Sequence, residues 1–297
     1  MKILTYELKF NNIKKKEVIM SNCNSGGCSG CSHSSGCGHA QNPVDFKIKP
    51  YETTKIKNII GVVSGKGGVG KSLVTSMLAS EMARKGYKVG IMDGDITGPS
   101  IPKYFGLKGN ATSNKEGKIN PVVTKNDIKV MSINLLLENE TDPVVWRGPV
   151  VAGVIKQFYQ EVLWEELDYL FIDLPPGTGD VPLTIFQSLP IDGIVVVTTP
   201  NELVEIIVKK AIKMAKLMNV SVLGLVENMS YLKCPCCNEE ISVFGESKIE
   251  KISEELNIRT FSKVPVNTEI SKATESGKIY ELKEDFLYDI VERIEIL

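Results

Sequence analysis

Directly after the apolar run at residues 59–63 the chain reads Ser64-Gly65-Lys66-Gly67-Gly68-Val69-Gly70-Lys71-Ser72, and a helix-like stretch over 73–85 comes next. Residues 65–72 satisfy G-x-x-x-x-G-K-[ST] in the strand–loop–helix context that gives the pattern its meaning. Glycines at these places let backbone N–H groups turn inward around phosphate oxygens, and the following helix adds its positive end. Gly65, Lys66, Gly67, Gly68, Val69, Gly70, Lys71 and Ser72 are therefore candidate ATP-binding residues. Lys71 is placed to reach the β- and γ-phosphates and Ser72 to ligate Mg²⁺. The alternative is a plain glycine-rich turn, which needs neither the strand before the motif nor the helix after it.

The rest of the chain agrees with a nucleotide-binding sheet. Short apolar runs at 59–63, 89–92, 128–133, 169–172, 194–198 and 222–226 read as buried parallel strands. Helical patterns lie between them. One has Leu203, Ile206, Ile207, Ala211, Met214 and Leu217 on a common apolar face. The fold class expected is α/β, a doubly wound, mostly parallel sheet with helices on both faces and right-handed crossovers. Ligands of such sheets bind at the carboxyl ends of the strands. Two such ends carry acids: Asp93 and Asp95 follow the run at 89–92, and Asp173 closes the run at 169–172 as a Walker B acid. A hard cation takes oxygen ligands, so Ser72, Asp93 and Asp173 form a candidate magnesium set. Taken singly, Asp93 or Asp95 could equally be a turn-forming aspartate.

Composition limits the function classes. Of 297 residues 42% are hydrophobic, and 35 Lys and Arg face 36 Asp and Glu, a nearly neutral balance that argues against a nucleic-acid-gripping protein. No run approaches the ~18 apolar residues of a membrane span. The N-terminus lacks a secretory h-region. A cytoplasmic protein is expected. The organisation expected is a flexible segment, 1–43, and an ATPase domain, 55–297. Met20 could be the working start, since the cysteine segment follows it directly and residues 1–19 show no clear periodicity; residues 21–43 contain no Val, Ile, Leu or Phe and cannot fold unaided.

The second lysine of KGGVGK, Lys66, resembles the deviant Walker A class that includes MinD, ParA, the nitrogenase iron protein and the Mrp-type carriers. Three longer stretches narrow the likeness: DGDITGPSIPKYFGL (93–107), WRGPVVAGVIKQFYQEVLWEELDYLFIDLPPGTGD (146–180) and VLGLVENMSYLKCPCC (222–237). Together they resemble the Mrp/ApbC family of iron–sulfur carrier ATPases over about residues 55–280. The resemblance implies an ATP-dependent homodimer in which Lys66 reaches the partner's nucleotide. It also implies that Asp93 helps hold the magnesium, that Asp95 orients or deprotonates the attacking water, and that Lys66, Lys71 and Asp95 carry catalysis. Asn228 then matches a contact to the adenine base, and Gly177 the backbone beside the γ-phosphate.

Seven cysteines fall in two groups, Cys23, Cys28, Cys31 and Cys37 near one end and Cys234, Cys236 and Cys237 near the other. In a reducing compartment such clustering favours metal ligation or redox chemistry. Cys234 and Cys237 form a C-x-x-C pair with no second pair downstream, so one chain offers half a site, and a symmetric dimer supplies the four thiolates of a [4Fe–4S] cluster. The resembling family is understood to work this way, with a labile cluster at the dimer interface, handed from a cluster donor to apo iron–sulfur proteins. Zinc shared between subunits and a thioredoxin-like redox pair are the rivals. The first group could hold a second cluster. Its C-x2-C-x5-C part matches the ferredoxin-like N-terminus of eukaryotic scaffold relatives, but its first spacing is far shorter. Zinc or loose metal capture with His33 or His39 is the alternative.

Two other functions compete with the carrier. A MinD- or ParA-like positioning ATPase with a zinc or redox C-x-x-C shares KGGVGKS. MinD-like proteins need a basic amphipathic tail for membranes, whereas residues 281–297 carry six acids against two basic residues. That tail is expected to pack on the core or bind a partner. A passive metal adaptor with a vestigial P-loop is opposed by the intact Lys71, Ser72 and Asp173.

Overall fold

Among the described residues seven parallel strands form the sheet, and their carboxyl ends gather the chemistry at one edge. A computed structural model describes residues 47–96, 98–137, 146, 148–200 and 204–297; the first cysteine group and the 1–43 segment lie outside them. Strand β1 (Lys55–Ser64) leads through the glycine loop into α1 (Lys71–Arg84) and then β2 (Val89–Asp93). Helix α2 (Ile101–Tyr104) and the short strands β3 (Thr112–Ser113), β4 (Ile119–Asn120) and β5 (Val122–Val123) precede β6 (Lys129–Met131). Helix α3 (Gly148–Glu161), β7 (Glu166–Asp173), α4 (Asp180–Ser188), β8 (Gly193–Thr198), α5 (Val204–Leu217) and β9 (Ser221–Lys233) follow in alternation. The chain ends with β10 (Glu240–Ile241), α6 (Ile249–Leu256), β11 (Phe261–Val266), α7 (Thr268–Glu275) and α8 (Tyr288–Glu295).

The sheet order is β10-β9-β8-β1-β7-β2-β6-β5, and β11 also pairs with β9. All pairings from β6 to β9 and from β9 to β11 are parallel; β5 and β10 add antiparallel edges. Strands covered on both faces read as unbroken apolar runs because each face needs its own side chains. In β1, Ile59 and Val63 enter one core with α3, α4, α5 and α6, while Ile60 and Val62 enter the other with α1, α7 and α8. The period of two assigns alternate residues to opposite cores.

Three features differ from the sequence expectation, and the C-terminal tail meets it. Strand β9 runs on to Lys233 instead of stopping at 226, because β10 and β11 pair with its second half. Strand β11 contains Pro265 and has no strand-like sequence signal, yet it pairs along β9 at the edge of the parallel sheet. The apolar face of α5 is rotated: Val208, Ala211, Ile212, Met214 and Ala215 are buried, whereas Ile206 is 58% and Leu217 79% exposed. The C-terminal tail packs on the core as α8, burying Ile290, Val291 and Ile294. Gly224 on β9 permits that approach, since a Cβ there would stand 2.4 Å from Ile290 Cδ1. Among the described residues no helix is long and apolar enough to cross a membrane.

Candidate functional site

The loop between β1 and α1 takes its shape from backbone conformation. Gly70 caps α1 at φ +81°, a left-handed conformation that a side chain would strain, and its carbonyl accepts the first helical bond from Val74 N at 3.0 Å. No side chain caps the helix, so the N–H groups of its first turn remain directed at the loop. Gly177 N donates to Ser64 O at 2.8 Å, which sets the Pro-Pro-Gly-Thr-Gly turn beside the loop.

Lys71 is buried and reaches Asp173 Oδ1 at 2.7 Å and Asp95 Oδ2 at 3.5 Å. Ser72 Oγ also donates to Asp173. Strands β2 and β7 place Asp93 directly beside Asp173, both fully buried. Asp173 and Asp95 thus share one ammonium with the Asp93 carboxyl beside them, an oxygen-rich group that suits a divalent cation. Burial pushes the Asp93 carboxyl up to about 8, and the charge of Asp173 adds to the shift against the opposing pull of Lys71 and a Ser132 hydrogen bond. For Lys71, burial works to lower the pKa, but Asp173, Asp95 and Asp93 outweigh it and hold the ammonium above the usual lysine value.

Two buried hydroxyls complete the cluster, and the sequence reading passed over both. Thr75 Oγ1 lies 3.0 Å from Asp173 Oδ1, one helical turn beyond Lys71. Ser132 Oγ donates to Asp93 Oδ2 at 3.0 Å from the end of β6, the strand beside β2. A serine inside an otherwise apolar strand pattern was the available signal. Lys66 is half-buried, and its carbonyl accepts from Ser64 Oγ. Asn228 is 2% exposed, and its Nδ2 donates to Val69 O at 2.9 Å, so β9 touches the phosphate loop directly.

The same strand delivers the thiols. Cys234 follows β9 in the next position, and the β9–β10 hairpin is closed by Cys234 N to Glu239 O and Asn238 N to Cys234 O, both 2.9 Å. The backbone N–H groups of Cys237 and Cys236 point at the Cys234 sulfur and hold its pKa below the usual thiol range. Cys236 and Cys237 are exposed. Among the described residues no three His, Cys, Asp or Glu side chains converge to hold a metal ion. The carboxylate site therefore suits a cation that draws its remaining oxygens from Ser72, phosphate and water. The hairpin of one chain offers fewer than three converging ligands.

Comparison with known proteins decides the family. The pattern of the family described as ParA, NUBPL iron-transfer P-loop NTPase, matches residues 55–294. The chain belongs to this family. Another protein similar to this NUBPL-type NTPase is the iron-sulfur cluster carrier protein of Clostridium perfringens, 46% identical over 280 residues, covering 90% of this chain and 98% of the relative. A carrier protein of the same description from Methanocaldococcus jannaschii is 45% identical over 262 residues, covering 87% and 90%. Among solved structures, a nucleotide-binding protein from Archaeoglobus fulgidus in complex with ADP superposes with TM-score 0.71 at 45% identity, covering 78% of this chain and 91% of that one. The cell division ATPase MinD of Pyrococcus furiosus, at TM-score 0.58 and 21% identity, covers 81% and 99% and shares the fold.

Proposed function

We propose that this NTPase carries a labile [4Fe–4S] cluster between two copies of itself, loads it from a donor, and passes it to apo-proteins under control of slow ATP hydrolysis. The observation that carries the reading is the continuity of β9, which holds Asn228 against the phosphate loop and Cys234 at the base of the thiol hairpin. In this reading Gly65 to Ser72 bind ATP, Lys71 neutralises the β- and γ-phosphates, and Asn228 and Gly177 border the base and the γ-phosphate. Mg²⁺, held by Ser72 with Asp93 and Asp173, supplies charge neutralisation on the phosphates. Asp95, within reach of Lys71 and partly open to solvent, orients the attacking water. Lys66 lies in the loop where it can extend to the nucleotide of a second copy.

Cys234 and Cys237 are the cluster ligands. N–H groups directed at a sulfur favour its thiolate, the form that binds metal. Two thiolates leave a cubane half-ligated, and a second copy related by a two-fold axis supplies the other half. Ile241, Val243 and Phe244, exposed beside the hairpin, offer apolar surface for that contact. Cys23, Cys28, Cys31 and Cys37 are candidates for a second metal site of iron or zinc.

The carrier role is tested by transfer. Cluster-loaded protein is mixed anaerobically with an apo [4Fe–4S] enzyme and an iron chelator. Recovery of enzyme activity despite the chelator is expected. Capture of all the iron by the chelator, with no activity recovered, would contradict the role.

A further inference from the structure

Strand β9 changes course between the phosphate loop and the cysteines. Against β11 its register runs from Asn228 opposite Val264 to Leu232 opposite Val266, so β9 advances four residues while β11 advances two. Inside this bulge Met229 sits at φ +56°, a left-handed conformation that a methionine enters only when its surroundings hold it there. Glu227 and Ser230 bracket it. They are 1% and 3% exposed, and Ser230 Oγ donates to Glu227 Oε2 at 2.6 Å. A hydrogen bond in so dry a place is stronger than its counterpart at the surface, and breaking it leaves a buried side-chain oxygen without its donor.

The two ends of the bulge have different partners. On one side Asn228 grips Val69 O and lies against Gly70. On the other, Leu232 and Lys233 pair with Ile241 and Glu240, and Cys234 is the next residue. We propose that the Glu227–Ser230 hydrogen bond is a rigid joint through which the phosphate loop sets the position of the cysteine hairpin. The inference rests on the nucleotide and cluster sites proposed above. A shift of Val69 and Gly70 on nucleotide binding displaces Asn228, and the locked bulge carries the displacement to Cys234. The hydrogen bond joins Glu227 to Ser230, not to the phosphate loop or the thiols. Both are positioning residues. Because coupling between sites is reciprocal, the same joint lets occupancy of the thiols alter nucleotide affinity by an equal factor.

The test reads thiol chemistry in the full chain. Alkylation rates are measured by mass spectrometry on the peptide holding Cys234, Cys236 and Cys237, with and without Mg·ATP. This readout needs no cluster, so it stands apart from failure of the carrier reading. In the native chain ATP is expected to change the rate by about 5-fold or more, the lower range of allosteric couplings. In Ser230→Ala the ATP effect should fall below about 2-fold while ATP still binds, and Glu227→Gln, which keeps an acceptor for the hydroxyl, should retain most of it. Met229→Gly, which accepts φ +56° without strain but frees the backbone, gives a second route: the ATP effect should shrink with no loss of melting temperature. A native chain whose thiols ignore ATP, or Ser230→Ala and Met229→Gly variants with the full native response, would overturn the joint.

Discussion

A Cβ on Gly70 would stand 2.1 Å from Asn228 Nδ2, so the last glycine of the phosphate loop and strand β9 are fitted to each other atom against atom. Gly70→Ala must strain φ +81° and expel the Asn228 amide from Val69 O. A stability loss of roughly 1–3 kcal/mol is expected, with ATP binding lost as well. Thermal melting and equilibrium binding of a labelled ATP analogue read the two effects. A variant that melts and binds like the native chain would show that the loop and β9 are independent.

Lys71 has a structural task besides the phosphate contact proposed for it. Lys71→Ala removes the ammonium that compensates buried Asp173. Breaking a buried pair costs about 3–5 kcal/mol, so the variant should be less stable without nucleotide and should no longer bind ATP. Urea unfolding and nucleotide titration are the measurements. Native affinity in the variant would remove Lys71 from the site.

Asp93 gives the site a pH signature. Its carboxyl keeps a proton up to about pH 8 in the folded protein, against a usual aspartate value of 3.8. Between those values the folded state binds more protons than the unfolded chain, so this group's contribution to stability falls as pH rises through that window. The slope is at most about 1.4 kcal/mol per pH unit. Asp93→Asn abolishes it. The stability of Asp93→Asn relative to the native chain should rise steadily from pH 5 to pH 8 in nucleotide-free urea titrations, and a constant difference would contradict the burial argument.

Asp95 separates binding from chemistry. Asp95→Asn should retain ATP and hydrolyse it at least about 10²-fold more slowly, because an amide cannot take a proton from water. Unchanged turnover at unchanged affinity would assign the water to another group.

The strand–loop–helix unit was legible in the sequence because its determinants are local: the glycines, Lys71 and Ser72 lie between β1 and the first turn of α1. The parallel strands were legible for a related reason, since burial on both faces leaves an unbroken apolar run. The misreadings all involve partners distant in sequence. Residues 227–233 carry Glu, Asn, Ser and Lys, yet they stay in a strand because β10 and β11 pair with them. Ile206 and Leu217 fit a helical period as well as Val208 and Ile212 do, and only the packing of α5 against the sheet chooses between the two faces. Ser132 and Thr75 joined the acid cluster through strand order and helix phase that no spacing in the chain records. Glu227 and Ser230 escaped notice because their burial depends on the bulge in β9.

The proposed cluster is shared between two copies through Cys234 and Cys237. The measurement that tests it most directly is anaerobic reconstitution with iron and sulfide of a chain in which Cys23, Cys28, Cys31 and Cys37 are replaced by serine. Size-exclusion chromatography with inline absorbance and iron counting follows. A visible-band chromophore that elutes with the dimer is expected, with about four irons per two chains, and loss of both in Cys234→Ala or Cys237→Ala but not in Cys236→Ala. A chromophore that elutes with the monomer would contradict the shared site, and zinc in place of iron would contradict the carrier function with it.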